Sequence, residues 1–168
     1  MSTCSDATAT ACCCWMIDGL MEDSRDTHVV YLGLGSNMGD RRSLLLRACE
    51  EIAERVGLVE RCSSFIETEP WGFVSDHPFL NAVVCVATSL TPRELLLATQ
   101  DIEQRLGRTQ KSTGGCYHDR PIDIDILLYD DLAVDEPDLK IPHPLMEQRD
   151  FVMRPLNEIR NKIENYDK

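Results

Sequence analysis

The chain has 168 residues, 43% of them apolar and 27% charged, which fits one soluble globular domain and excludes a disordered or low-complexity chain. Its 29 acidic and 17 basic side chains leave a net charge of −12, which argues against non-specific duplex binding and against docking on an anionic membrane. Any phosphate site must therefore build its own positive pocket, and no apolar run of about 18 residues occurs to form a membrane-spanning helix.

Residues 1–27 stand apart. They hold Cys4, Cys12, Cys13 and Cys14, a single base at Arg25, several acids and no sustained apolar period, and they read as a flexible N-terminal extension. Without a basic n-region the start is a poor secretory signal. The other cysteines (Cys49, Cys62, Cys85, Cys116) are scattered singly and no Cys-x-x-Cys pair occurs, so reduced thiols in a cytoplasmic protein are expected.

From His28 the pattern becomes regular. His28–Leu34 predicts a strand that runs into a glycine-rich turn, Gly35-Ser36-Asn37-Met38-Gly39-Asp40. Leu45, Cys49, Ile52 and Val56 form a helical stripe closed by Gly57. Residues 58–68 and 79–89 predict two strands, joined by a long loop, Glu69–Pro78, of the kind that is often functional. Thr91-Pro92-Arg93-Glu94 is a capping box opening a second helix, with Leu95, Thr99, Ile102 and Leu106 on one face and Gly107 after it. The last predicted strand is Ile122–Tyr129, with Ile122, Ile124, Ile126 and Leu128 on one face and Asp123, Asp125, Leu127 and Tyr129 on the other. Strand–helix–strand–strand–helix–strand is the split βαβ order, so the expected fold is a ferredoxin-like βαββαβ α+β sandwich, an antiparallel sheet with helices packed on it, in one domain over 28–168.

The chemistry concentrates around that last strand. Asp123 and Asp125 lie about 7 Å apart on one face, a spacing at which two carboxylates can share one or two Mg²⁺ ions completed by substrate phosphates. Taken alone, the pair reads equally as a solvated acidic face. Arg105, Arg108, Lys111 and Arg120, against the lone acid Asp119, make residues 105–120 the one strongly basic stretch. Gly114 and Gly115 inside it predict a mobile loop. Mobile arginines beside paired aspartates suit phosphoryl transfer, in which metal ions and guanidiniums carry the charge of the transition state. The dinucleotide fingerprint fails at Met38 and no Walker loop occurs, so the glycine-rich turn reads as structural or substrate-lining. His143 is held rigidly between Pro142 and Pro144, either as a turn residue or, with Lys140, Arg149 and Arg154 nearby, as an anion contact. Phe79, Phe151 and Trp71 are aromatics whose period does not separate core from site.

Four segments occur together and in order: Gly35-Ser36-Asn37, Phe79-Leu80-Asn81-Ala82, Arg120-x-Ile122-Asp123-Ile124-Asp125-Ile126-Leu127, and Ile141-Pro142-His143-Pro144. The set resembles the 6-hydroxymethyl-7,8-dihydropterin pyrophosphokinase family of folate biosynthesis, over residues 28–160. The resemblance implies transfer of the β,γ-diphosphate of ATP, as co-substrate, onto the pterin hydroxymethyl oxygen with release of AMP. It implies Asp123 and Asp125 as ligands of two Mg²⁺ ions and Arg108 and Arg120 as the catalytic arginines. Phe79 and Phe151 would sandwich the pterin, Thr68 and Asn81 would bond its edge, and Pro70, Trp71 and Gly72 would add backbone contacts. Gln100, Glu103, Tyr117, Ile126, Lys140, His143 and Arg149 fall on the ATP side. A monomeric cytoplasmic enzyme with no nucleic-acid or membrane partner is expected.

The chain departs from the family pattern at Pro121, where Thr is usual, and at Ser75-Asp76-His77-Pro78, where many relatives carry Gln-Pro. It departs again at Gly114-Gly115-Cys116-Tyr117-His118-Asp119, in place of a Trp-Gly-Pro run, and it ends at Lys168 before the usual C-terminal stretch. Two readings compete with the enzyme. A non-catalytic ferredoxin-like module binding a small molecule needs neither the aspartate pair nor the basic loop. An RNA-binding sheet would carry basic charge and exposed aromatics, against −12 and 6% aromatic residues here.

Overall fold

The computed structural model describes residues 26–72, 74–109 and 118–164, with side chains to residue 160. The N-terminal extension (but for residues 26 and 27), Tyr117 and the glycines of the basic loop lie outside the described residues. Strand β1 (His28–Ser36) is followed by α1 (Arg41–Arg55), β2 (Leu58–Cys62), β3 (Ile66–Thr68), β4 (Phe79–Thr88), α2 (Pro92–Arg105) and β5 (Asp123–Tyr129). The main sheet runs β2-β4-β1-β5 with every neighbour antiparallel, and β3 adds to the same edge of β4 as β2. This is the ferredoxin-like order.

α1 and α2 each begin where a cap places them. The Asp40 carboxylate accepts from Ser43 N at 3.1 Å and opens α1, while Thr91 and Glu94 close both halves of the capping box on α2. After α1 the chain must pass under β4. A Cβ on Gly57 would sit 2.2 Å from the Ala87 carbonyl oxygen, so only glycine fits that crossing. Gly107 ends α2 at a φ of 99°, in the left-handed region.

Four features depart from the sequence expectation. β1 continues through Gly35 and Ser36 instead of turning there, because both residues pair with β4 opposite Asn81 and Leu80. The single strand predicted over 58–68 is broken at Ser63, whose hydroxyl accepts the Val83 N–H at 2.9 Å and takes the place of a ladder partner. In β5 the register against β1 slips between Tyr31 and Leu32. The extra residue of that bulge turns Tyr129 into the core with Ile122, Ile124 and Ile126, and sends Leu128 to the opposite face. Beyond Tyr129, where no element is predicted, lie a small hairpin of β6 (Val134–Glu136) and β7 (Leu139–Ile141), a 3₁₀ turn (Met146–Gln148) and α3 (Asp150–Glu164).

The consequence is a three-layer molecule. On one face α1 and α2 bury Leu45, Ala48, Ile52, Leu95 and Ile102 against Val30, Leu32, Val84, Val86 and the isoleucines of β5. On the other face α3 buries Val152, Leu156 and Ile159 against Tyr31, Val83, Cys85 and Leu127. α3 covers only part of that second face. The uncovered remainder, between α3 and the loops at one end of the sheet, is where Asp123 and Asp125 project. Cys49 and Cys85 are free thiols, and among the described residues no helix is long and apolar enough to cross a membrane.

Candidate active site

Three strands lay out the floor of the site. In register, Asp123 on β5 lies opposite Gly35 on β1, and Gly35 lies opposite Asn81 on β4. Two residues along, on the same face, Asp125 lies opposite Gly33. The glycines open a trough between the aspartates and Asn81: a Cβ on Gly35 would come within 2.9 Å of Asn81 Oδ1. The substrate-lining reading of these glycines thus belongs to a strand and not to a turn.

The trough opens into a cleft, partly open to solvent, which also receives Thr68, Trp71, Phe79, Arg120, Arg149 and Phe151. Asn81 Nδ2 donates to Thr68 Oγ1 at 2.8 Å, so the two polar groups at its base orient one another. Phe79 and Phe151 come from opposite ends of the fold, the start of β4 and the first turn of α3. Pro70 and Gly72 do not line this cavity; between them Trp71 does, with 39% of its surface exposed. The Arg149 guanidinium lies 4.7 Å from the centre of the Trp71 ring and 5.8 Å from that of Phe151. The structure therefore places Arg149, expected on the ATP side, among the residues expected at the pterin.

A second hollow lies across β5, lined by Asp125, Ile126, Lys140, His143 and Leu96. His143 is fixed twice: its N–H donates to Leu127 O at 3.0 Å, and its Nδ1 accepts from Leu145 N at 3.2 Å. Burial, with Arg149 second, lowers its pKa, so the imidazole is neutral and its remaining proton is on Nε2. Lys140 pairs with Asp135 across the hairpin. Gln100, Glu103 and Arg108 line a third depression, at the end of α2.

Between the cavities the charges interlock. Arg108 Nη1 bonds to both Glu103 and Asp123, and Arg120 Nη2 lies 3.1 Å from Asp123 Oδ2. Arg149 Nη1 lies 3.9 Å from Asp125 Oδ2. Glu103 also accepts the Ile124 N–H at 2.8 Å, so this buried carboxylate holds Arg108 to β5 through a single oxygen, Oε1. Burial first, then Asp123, raises Glu103 to about 7, against the pull of Arg108. Although 40% of the Asp125 side chain faces the cavities, the protein packed around its carboxyl and the nearby Asp123 raise it to about 7. Burial disfavours the Arg108 cation, but Asp123 and Glu103 outweigh it and raise its pKa. Glu103, Asp123 and Asp125 face Arg108, Arg120 and Arg149, so three guanidiniums gather at the site inside a chain of −12.

The donor set fits magnesium. Asp125 is a half-buried carboxylate with the Arg149 guanidinium 3.9 Å away, a charge that a divalent ion at the cavity would compensate more closely. Among the described residues no three His, Cys, Asp or Glu side chains converge as a cage. Two carboxylates alone suit an ion that takes its other oxygens from phosphate and water.

The sequence expectation omits Asn37, Ser75 and Asp119 from the site; they meet beside Arg120, at the loop that carries Trp71 to the first cavity, and none of the three lines that cavity itself. Asn37, only 3% exposed, was legible as part of Gly35-Ser36-Asn37. Nothing local signals that Ser75 and Asp119 meet.

Residues 31–161 match the family described as 7,8-dihydro-6-hydroxymethylpterin-pyrophosphokinase (HPPK). The chain is 59% identical over 132 residues to the 2-amino-4-hydroxy-6-hydroxymethyldihydropteridine pyrophosphokinase of Porphyromonas gingivalis, covering 78% of this chain and 90% of that one. It is 46% identical over 134 residues to the protein of the same name from Aquifex aeolicus, covering 80% and 81%. The crystal structure of wild-type Plasmodium falciparum HPPK-DHPS superposes with a TM-score of 0.61 at 16% identity, over 79% of this chain and 40% of that longer one. That likeness concerns the fold, and the chain spans about two fifths of the Plasmodium protein.

Proposed function

The chain belongs to the 7,8-dihydro-6-hydroxymethylpterin-pyrophosphokinase family, and from that premise we propose that its first two cavities hold the two substrates of one reaction. It is a diphosphotransferase of folate biosynthesis. The hydroxymethyl oxygen of 6-hydroxymethyl-7,8-dihydropterin attacks the β-phosphorus of ATP, the bond from that phosphorus to the α–β bridging oxygen breaks, and AMP leaves with that oxygen while the hydroxyl proton is lost. The observation that carries this reading is that Asp125 lines both cavities, with Asp123 beside it on the same strand. A substrate on either side of β5 then presents its reacting atoms to the same carboxylate pair.

The residues divide the work as follows. Phe79 and Phe151 stack the flat pterin, while Thr68 and Asn81, already orienting each other, bond its edge, with the backbone of Pro70, Trp71 and Gly72 at the rim. Ile126, Lys140 and the Nε2–H of His143 receive the nucleotide, with Gln100 at the third depression. Glu103 acts there through Arg108, which it holds in place. Arg108 and Arg120 stand within reach of the aspartates and meet the charge that spreads over the transferring phosphates. Arg149 serves the junction between the two cavities. Tyr117 is proposed on the nucleotide side from its place in the sequence alone. Asp123 and Asp125 would hold two Mg²⁺ ions, which when bound supply charge neutralisation of the phosphate oxygens. We place the enzyme in the cytoplasm as a monomer, with residues 1–27 as an extension outside the catalytic domain.

Incubation with ATP, Mg²⁺ and 6-hydroxymethyl-7,8-dihydropterin is expected to yield AMP and the pterin diphosphate in equal amounts. Folded protein that yields no AMP overturns the reading, and pterin binding that is indifferent to Mg²⁺ would favour the non-catalytic module. The raised pKa of Asp125 adds a pH dependence. Below about 7 its carboxyl is protonated and a metal must displace that proton, whereas above 7 it is already ionised. Mg²⁺ affinity measured calorimetrically should therefore fall as pH drops from 7 to 6 and level off above 8. Equal affinity across that span would show that Asp125 is not a ligand.

A further inference from the structure

The loop between β3 and β4 and the segment entering β5 meet at one carboxylate. Asp119 Oδ1 accepts from Asn37 Nδ2 at 2.7 Å and from Ser75 Oγ at 2.7 Å. Its Oδ2 lies 4.0 Å from His77 Nε2, and the Ser75 hydroxyl also accepts the His77 N–H at 3.1 Å. Asn37 then spends its remaining groups on both segments. Its Oδ1 accepts the Arg120 N–H at 2.8 Å, its own N–H donates to Arg120 O at 3.3 Å, and its Nδ2 lies 3.4 Å from His77 O. A parallel strut comes from Arg41, which donates to Pro78 O at 2.7 Å and pairs with Glu67 at 2.7 Å. Hydrogen bonds from Ser75, and then Asn37, hold the Asp119 carboxyl below its ordinary pKa against a small burial cost, so it is an ionised acceptor at neutral pH.

These contacts join two parts of the site that work on different substrates. The Ser75–His77 end belongs to the loop that carries Trp71 to the first cavity and leads into Phe79. The Asp119 end is the residue before Arg120. We propose that Asp119 is a positioning residue, a latch that ties the rim of the pterin cavity to the backbone carrying Arg120, so that seating the pterin and aiming that arginine are one event. The inference rests on the proposed function, since it assigns those roles to the cavity and to Arg120. Asp119 touches no substrate in this scheme. It acts through Ser75 on one side and through Asn37 on the other.

Such a latch has kinetic consequences that a general structural role lacks. With the rim already held, pterin binding does not have to order it, so the latch lowers KM for the pterin and leaves KM for ATP alone. Asp119→Ala is expected to raise KM for the pterin about tenfold, the scale of a lost charge-assisted hydrogen bond. It should also lower kcat several-fold as Asn37 loses its partner. Ser75→Ala should raise the same KM about threefold. The double variant should be no worse than Asp119→Ala alone, because both changes open one contact. Asp119→Asn, which keeps an acceptor at Oδ1, should recover most of the pterin affinity.

The test is steady-state kinetics of these four variants and the parent, with AMP as the readout and thermal midpoints measured alongside. A non-additive rise confined to the pterin KM, rescued by asparagine, bears out the latch. Additive effects, equal rises in both KM values, or variants that behave as the parent overturn it while leaving the pyrophosphokinase reading intact. A folded parent that makes no AMP fails the earlier reading instead. If Asp119→Ala does not fold, Ser75→Ala against Ser75→Thr tests the same contact from the loop side, with threonine expected to match the parent.

Discussion

Asp125→Ala is expected to lower kcat by about a thousandfold, equivalent to about 4 kcal/mol of lost transition-state stabilisation. Asp125 is the side chain shared by both cavities, and it stands beside Asp123 on a strand whose other neighbours are core isoleucines. No other described carboxylate lines both. Glu103 is committed to Arg108 and to the Ile124 N–H, so it cannot swing in as a substitute. The loss should not come from unfolding. A carboxyl raised to about 7 is one whose charge the folded state disfavours, so at pH 8 its removal should leave the thermal midpoint unchanged or higher. AMP release from ATP and the pterin, beside a thermal melt, checks both halves. A variant within a few-fold of the parent would refute the metal-ligand role, and one that melts well below it would show that Asp125 serves the fold.

Arg120→Ala should cost a further large factor by a different route, about a hundredfold to a thousandfold in kcat with KM for ATP within a few-fold of the parent. Its guanidinium lies 3.1 Å from Asp123 and 5.6 Å from the centre of the Phe79 ring, at the junction of the pterin cavity and the aspartates. A cation there opposes charge that develops only as the diphosphate moves, so its loss falls on kcat and not on binding. The segment should stay in place, because the Asn37 amide holds residue 120 by its backbone and not by its side chain. Arg120→Lys should recover little, since an ammonium does not offer the planar fork. An alanine variant whose defect lies wholly in KM would show that Arg120 only binds substrate.

The legible parts of this protein were those written in short-range periodicity. The capping box of α2, the helical stripes of α1 and α2 and the alternation of β5 up to Ile126 are all written within a few residues, and each of these elements lies where its pattern places it. The misses have local causes too. Ser63 breaks a strand through a side chain–backbone bond, and the β5 bulge reverses which of Leu128 and Tyr129 enters the main core. α3, which no sequence expectation covers, carries Pro155 within it and packs its stripe of Val152, Leu156 and Ile159 on the sheet. Without α3 the sheet has one open face; with it, the open area shrinks to the trough that forms the site.

From the sequence alone came the chemistry: the paired aspartates, the basic stretch before them and the four ordered segments that resemble the pterin pyrophosphokinases. The net charge of −12 describes the chain as a whole and not the site, because three arginines gathered at the aspartates set the field that a phosphate would meet. The tertiary structure alone decided that Asp125 is shared by two cavities, that Arg149 lies among the aromatics, and that Asp119 meets Asn37 and Ser75. Those contacts bridge 82 and 44 residues. A periodic pattern records which face of its own element a residue occupies, whereas the meeting of side chains from different loops is set by how sheet and helices pack, and that is a property of the whole chain.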